Sequence, residues 1–177
     1  METMKYDEIK SPIGVLTLGW SGGEQPGLCH VEFGGFADVE RELSNWSKRW
    51  YSTVQWQRDP EALSEAAAQL QDYFAGTRER FDMPLALRGT PFQVKVWQAL
   101  LEVPFGETRS YKQIAERIGA PKAVRAVGGS NNRNPVPLIV PCHRIIGSGG
   151  ALVGYGGGLD IKTYLLQHEG IMSGGAL

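Results

Sequence analysis

The stretch Ser110-Tyr111-Lys112-Gln113-Ile114-Ala115-Glu116-Arg117-Ile118-Gly119-Ala120-Pro121-Lys122-Ala123-Val124-Arg125-Ala126-Val127-Gly128-Gly129-Ser130 decides how the second half of this chain folds. Ser110 with Gln113 three positions on is the pattern of a capping box. The short helix it opens has Ile114, Ala115 and Ile118 on one side. Gly119 then stands where a helix ends on a left-handed residue. Pro121 predicts the start of a second helix, running to about Ser130. Two short helices joined by a Gly-Ala turn read as a helix-turn-helix. On the second helix Lys122, Arg125, Gly129 and Asn132 share a face. Cations and amides interleaved with glycine let backbone come close to an anionic partner, which suits DNA better than a core.

Before this stretch, Thr90-Pro91 reads as an N-cap followed by proline at the first helical position. That helix runs to about Val103, with Phe92, Val96, Leu100 and Val103 on one face. After it comes Pro137-Leu138-Ile139-Val140-Pro141-Cys142-His143-Arg144-Ile145-Ile146-Gly147, a short apolar run framed by prolines. Proline fixes φ and lacks the N–H of a β-ladder, so this backbone is rigid without being a central strand. The thiol of Cys142 sits where the stiff segment ends. A thiol reacts as thiolate, and a free cysteine has a pKa of about 8.5. His143 and Arg144 are the candidates to activate it. The glycine-rich stretches 147–150 and 154–158 predict an ordered loop with accessible N–H groups. Asp160 is expected to cap a last helix, with Leu159 and Tyr164 as its hydrophobic staple and Leu165 and Leu166 inward. Glu169 falls in the last turn of that helix, where a carboxylate opposes the macrodipole and needs a partner. The tail from residue 171 is expected to fray.

The first half reads differently. Residues 4–33 are β, with Ile13 to Leu18 and Leu28 to Phe33 as apolar runs and a hairpin turn over 22–27. Helices are predicted over 37–47, with Val39, Leu43 and Trp46 on one side, and over 60–75, opening at Pro60. Val54 and Trp56 suggest another strand. Residues 77–90, with Pro84 and Gly89, read as a connector. Cys29 and His30 fit a buried strand better than a ligand pair. Two separate cysteines and three histidines without a C-x-x-C pattern make no zinc site.

The chain has 177 residues, 42% hydrophobic and 21% charged, enough for a packed core and too apolar for disorder. No apolar run approaches the roughly 20 residues of a membrane span, and the N-terminus lacks an apolar signal core. A soluble, cytoplasmic protein is the expectation, nuclear if the source is eukaryotic. Net charge is −1, but residues 1–87 carry −6 and residues 88–177 carry +5. Such asymmetry points to a nucleic-acid face on the basic half.

Tyr111, Arg125-Ala126-Val127-Gly128-Gly129, Asn134-Pro135-Val136-Pro137, Pro141-Cys142-His143-Arg144, Tyr155-Gly156-Gly157-Gly158 and Leu166-Gln167-His168-Glu169-Gly170 occur in this order and at these spacings. Over residues 90–170 the chain thereby resembles the O6-alkylguanine-DNA alkyltransferases, the methylated-DNA–protein-cysteine methyltransferases. The resemblance implies an α+β fold. A small N-terminal β-sheet domain with helices, RNase H-like, spans 1–87. A mostly helical C-terminal domain with a winged helix-turn-helix spans 88–177. It implies a single-turnover enzyme that binds duplex DNA from the minor-groove side as a monomer, flips an O6-alkylguanine and moves the alkyl group irreversibly to Cys142. The base must leave the stack because a thiolate cannot reach its alkyl carbon inside a duplex.

By the same resemblance, His143 takes the thiol proton through a water and Glu169 orients His143. Asn134 holds the turn before the active segment. Tyr111 turns the phosphate and donates a proton to the guanine ring, and Arg125 fills the vacated space. Lys112, Lys122 and Ser148 join the DNA contacts, while Ala123, Ala126 and Gly128 let the helix enter the groove. Backbone groups of Val140, Cys142 and Ile145 read the base edge, Tyr155 lines the pocket, and the Gly156 N–H bonds the guanine O6. Gly156 stands where many relatives have serine, which implies a roomier pocket. No cofactor is needed. The alternative from the binding class is an alkyltransferase-like protein that recognises the lesion without transfer. A cysteine hydrolase would need an oxyanion hole and a substrate cleft, and nothing here requires either. A transcription factor leaves Cys142, His143 and Glu169 unexplained, and an inert core thiol leaves the surrounding motifs unexplained.

Overall fold

A computed structural model describes residues 2–51, 54–150 and 155–171, without the side chains of Glu2 and Ser148. Two units result, Met1–Arg88 and Gly89–Leu177. In the first, strands β1 (Glu2–Ser11), β2 (Gly14–Ser21) and β3 (Gly27–Phe33) form an antiparallel meander. Helix α1 (Phe36–Trp50) then crosses over to β4 (Val54–Arg58), which pairs parallel with β1. The sheet order is β3-β2-β1-β4. A parallel pair needs such a crossover, and α1 supplies it by burying Val39 and Leu43. Helix α2 (Ser64–Phe74) follows. Leu16, Thr17 and Leu18 are all buried, so β2 is covered on both faces, which is why its sequence alternates only partly.

Helix α1 is longer than the expected 37–47. Helix α2 begins four residues later than expected. Pro60 lies in a turn instead, where Ala62 N–H donates to Asp59 Oδ1 at 3.3 Å and Ser64 N–H to Glu61 O at 3.2 Å. The Asp59 carboxylate competes for backbone donors and delays the helix. The connector expected from residue 77 onward is, through residue 86, docked on its own unit. Leu28 N–H donates to Pro84 O and Ala86 N–H to Leu28 O, each at 2.9 Å, so the segment runs beside β3 as a short parallel bridge. Buried Gln69 of α2 holds it from the other side, exchanging two 2.8 Å hydrogen bonds with the backbone of Asp82.

In the second unit, α3 (Pro91–Leu100) carries the expected capping box, Thr90 with Gln93. It closes through a tight turn, Val103 N–H to Leu100 O at 3.0 Å, rather than continuing as regular helix. Strand β5 (Arg109–Ser110) leads into α4 (Tyr111–Arg117), capped by the Ser110–Gln113 box. Gly119, at φ +78°, ends it as expected. Helix α5 (Val124–Asn132) opens at Val124, not at Pro121. Pro121 instead sits in a turn closed by Ala123 N–H to Ala120 O at 2.9 Å, a position its fixed φ also favours. Strand β6 (Ile145–Ile146) pairs parallel with β5. The last helix is α6 (Leu159–His168), whose N-cap is Gly158. Asp160 is therefore in the first turn rather than at the cap, and Leu159 is itself helical and 49% exposed, so the expected staple register is not used. Residues 151–154 of the glycine-rich loop, and the tail beyond Ile171, lie outside the described residues. No described helix is long and apolar enough to cross a membrane.

Candidate active site

Asn134, just past α5, builds the approach to the thiol. Its Nδ2 donates to Val140 O at 2.8 Å and its Oδ1 accepts from Val136 N–H at 2.9 Å. Val140 N–H closes back to Val136 O at 3.0 Å. Within this loop Leu138 takes φ +77°, the one non-glycine residue with positive φ among those described. A left-handed residue with a Cβ costs about 1–2 kcal/mol, and the Asn134 bonds and full burial of Leu138 hold it there. The loop delivers Cys142 into a single 3₁₀ turn, Cys142–Arg144. With three residues per turn, adjacent side chains diverge by about 120°. Neighbours in sequence thus face different partners.

His143 is fully buried, and its Nε2 meets Glu169 Oε2 at 2.7 Å. Arg144 grips the same carboxylate with Nε at 2.8 Å and a terminal nitrogen at 3.0 Å, and donates to Val103 O at 2.7 Å. Gly106 N–H adds a long contact to Glu169 Oε1 at 3.4 Å. The C-terminal carboxylate of α6 thereby has the partners it needs. Burial alone would raise the Glu169 pKa, but the hydrogen bonds from His143 and Arg144 hold it below the usual carboxylate range. Burial pulls the His143 pKa down despite Glu169. Burial thus favours the neutral ring. With Nε2–H donated to Glu169, Nδ1 keeps a lone pair, and Nδ1 has no protein partner among the described residues.

Cys142 is 5% exposed, and burial pushes its thiol up. Hydrogen bonds from Asn134 and Tyr155 and the positive charge of Lys162 pull the other way. Arg144 is directed to Glu169 rather than to the thiol. Lys162 escaped the sequence reading, which looked for apolar residues on the inner face of α6. It is 0% exposed, and its Nζ donates to Ile145 O at 2.6 Å. Burial lowers its pKa to about 8, with Cys142 acting in the opposite direction. A lysine in an amphipathic helix normally marks the solvent side, so the only signal for its burial was its i+3 spacing to Leu165.

The remaining expected residues fall into two groups. Tyr111, at the start of α4, is half-buried beside α5, where a Cβ on Gly128 would stand 3.8 Å from its ring. Lys112, Lys122, Arg125 and Ala126 are exposed, and Ala123 is half-buried. The side chain of Ser148 lies outside the described residues. Around the thiol, Val140 and Ile145 are buried and Tyr155 is half-buried. The Val140 carbonyl accepts from Asn134 and from Cys142 N–H at 2.8 Å, so both of its lone pairs are engaged inside the protein. Gly156 is exposed, and among the described residues a Cβ there would meet only Asn132 O, at 3.7 Å.

Residues 91–171 match the family model described as 6-O-methylguanine DNA methyltransferase, DNA binding domain. Residues 4–87 match 6-O-methylguanine DNA methyltransferase, ribonuclease-like domain. A methylated-DNA–protein-cysteine methyltransferase of Methanosarcina barkeri is 49% identical over 166 residues, covering 94% of this chain and 97% of its own. One of Mycobacterium leprae is 57% identical over 161 residues, covering 91% and 89%. Among solved structures, Mycobacterium tuberculosis OGT in complex with DNA superposes with a TM-score of 0.76 at 46% identity, covering 94% of this chain and 92% of that one. A Pyrococcus kodakaraensis O6-methylguanine-DNA methyltransferase shares the fold at 23% identity and a TM-score of 0.66, over 94% of this chain and 99% of its own.

Proposed function

The chain belongs to the 6-O-methylguanine DNA methyltransferase family, and on that premise we propose that it repairs O6-alkylguanine in duplex DNA by moving the alkyl group onto Cys142. The observation that carries this reading is the buried His143, whose Nε2 meets Glu169 Oε2 at 2.7 Å while Nδ1 has no protein partner among the described residues, next in sequence to a buried thiol. A base held by an orienting carboxylate is how a weak nucleophile is activated. His143 Nδ1 takes the thiol proton through a water. The charge of Lys162 favours the resulting thiolate. The sulfur then attacks the alkyl carbon, forming S–C as the C–O6 bond breaks, and the electron pair passes into the purine. Tyr111 supplies the proton that leaves the product a neutral guanine. The thioether is stable, so each molecule reacts once.

DNA is bound through α4 and α5 from the minor-groove side, by a monomer in the cytoplasm. The exposed Lys112, Lys122 and Arg125 support this, as does the small, accessible Ala126. Arg125 occupies the space the flipped base leaves. Asn134 fixes the active-site loop, Tyr155 lines the pocket, and the Gly156 N–H meets O6. The test is a single-turnover assay on duplex DNA carrying one O6-methylguanine, read by mass spectrometry of the protein. One added methylene on the Cys142 peptide, absent in Cys142→Ala, is the expected result. Lesion binding without a mass gain would overturn transfer and leave recognition alone.

A further inference from the structure

Asn131 has no part in the reading above. It is 2% exposed on α5. Its Nδ2 donates to Cys142 O at 3.4 Å, and its side chain hydrogen-bonds that of Tyr111. Its Oδ1 has no hydrogen-bond partner among the described residues. Gly128 lies three residues earlier on the same face of α5, in reach of the Tyr111 ring. One face of α5 therefore meets Tyr111 twice, leaving room for the ring at Gly128 and holding the side chain at Asn131. As a stabilising residue Asn131 is a poor choice. Its contact to Cys142 O is long for a hydrogen bond. A buried carbonyl oxygen without a partner is costly, whereas a leucine of similar volume has none. Buried polar groups of this kind call for an explanation in function.

We propose, resting on the alkyl-transfer reading, that Asn131 is a positioning residue. It fixes the Tyr111 hydroxyl relative to the Cys142 segment, so that proton donor and nucleophile are aimed at one base from one helix. Its effect passes through the Tyr111 hydroxyl, to which it hydrogen-bonds.

A double-mutant cycle tests this. Methyl transfer under single turnover and affinity for duplex DNA are measured separately for wild type, Asn131→Leu, Tyr111→Phe and the double variant. Misplacing a reacting group carries a steep rate cost, so Asn131→Leu should slow transfer on the order of tenfold. Duplex affinity should stay within about twofold. In the Tyr111→Phe background the same substitution should change the rate by less than about twofold, because groups that act as a unit are not additive. Equal slowing in both backgrounds would overturn the proposal, as would an unchanged rate in Asn131→Leu alone. Should Asn131→Leu fail to fold, Asn131→Ser runs through the same cycle under the same criteria. Absence of transfer by the wild type would instead overturn the alkyl-transfer reading, and the first measurement of the cycle separates the two failures.

Discussion

Glu169 sits at the C-terminal end of α6, where the helix macrodipole disfavours a carboxylate, and Arg144 and His143 reverse that penalty. Replacing it with glutamine removes the charge that orients His143 and leaves the buried Arg144 cation uncompensated. Breaking a buried pair in this way costs about 3 kcal/mol. Glu169→Gln should therefore lower stability by about that amount at pH 7, read by denaturant unfolding. General acid–base contributions span about 100-fold or more, so transfer should slow by about 10–100-fold. The pH dependence has a definite sign. The folded-state pKa of Glu169 is depressed below its unfolded value of about 4.3, so the pair stabilises fully above about pH 5 and less as pH falls. The variant should lose less stability than wild type between pH 5 and pH 3. At this scale the pairing of His143 with Glu169 was legible through the family resemblance. Lys162 and Asn131 were not, because burial of a cation or an amide depends on what packs over it.

Among the elements, the docking of residues 82–86 on β3 depends on a bare backbone. A Cβ on Gly27 would stand 2.8 Å from Leu85 C and Pro84 O, closer than any backbone tolerates. Overpacking of this kind costs about 1–3 kcal/mol, so Gly27→Ala should destabilise by that much. Gly22, in the loop before β3, has nothing within 4 Å of its Cβ position among the described residues. Gly22→Ala is thus the matched control and should be neutral within about 0.5 kcal/mol. Thermal or urea unfolding of both variants checks the pair. Capping boxes, the terminal Gly119 and the helix-turn-helix were readable because each is decided within a few residues. The starts of α2 and α5 were misplaced for an equally local reason, since a proline fits both the first helical position and a turn, and the side chain or turn ahead of it decides.

Across the whole molecule, charge distribution governs partner binding. Of the seven basic residues between 109 and 144, Arg109 pairs with Glu107, Arg117 with Glu102, and Arg144 is buried against Glu169. Lys112, Lys122, Arg125 and Arg133 remain exposed. Each phosphate neutralised contributes about −0.9 to the slope of log K against log salt, so duplex binding should show a slope of about −3 to −4. Arg133→Ala should make it shallower by about one, measured by fluorescence anisotropy at several salt concentrations. Reaction should also change stability. Cys142 is 5% exposed in a packed wall, and an added S-methyl overfills it. The methylated protein should be less stable by about 1–3 kcal/mol, read as a lower Tm than the unreacted form. The sequence by itself determined the sheet-then-helix organisation and the helix-turn-helix, because periodicity and capping chemistry are local properties of a chain. Only the tertiary structure decided that Arg144 serves Glu169 rather than the thiol, that Lys162 lies buried beneath Ile145, and that Asn131 joins Tyr111 to the Cys142 segment. Those pairings are made across 11 to 25 positions of sequence, and they exist only once packing has chosen which polar groups leave water together.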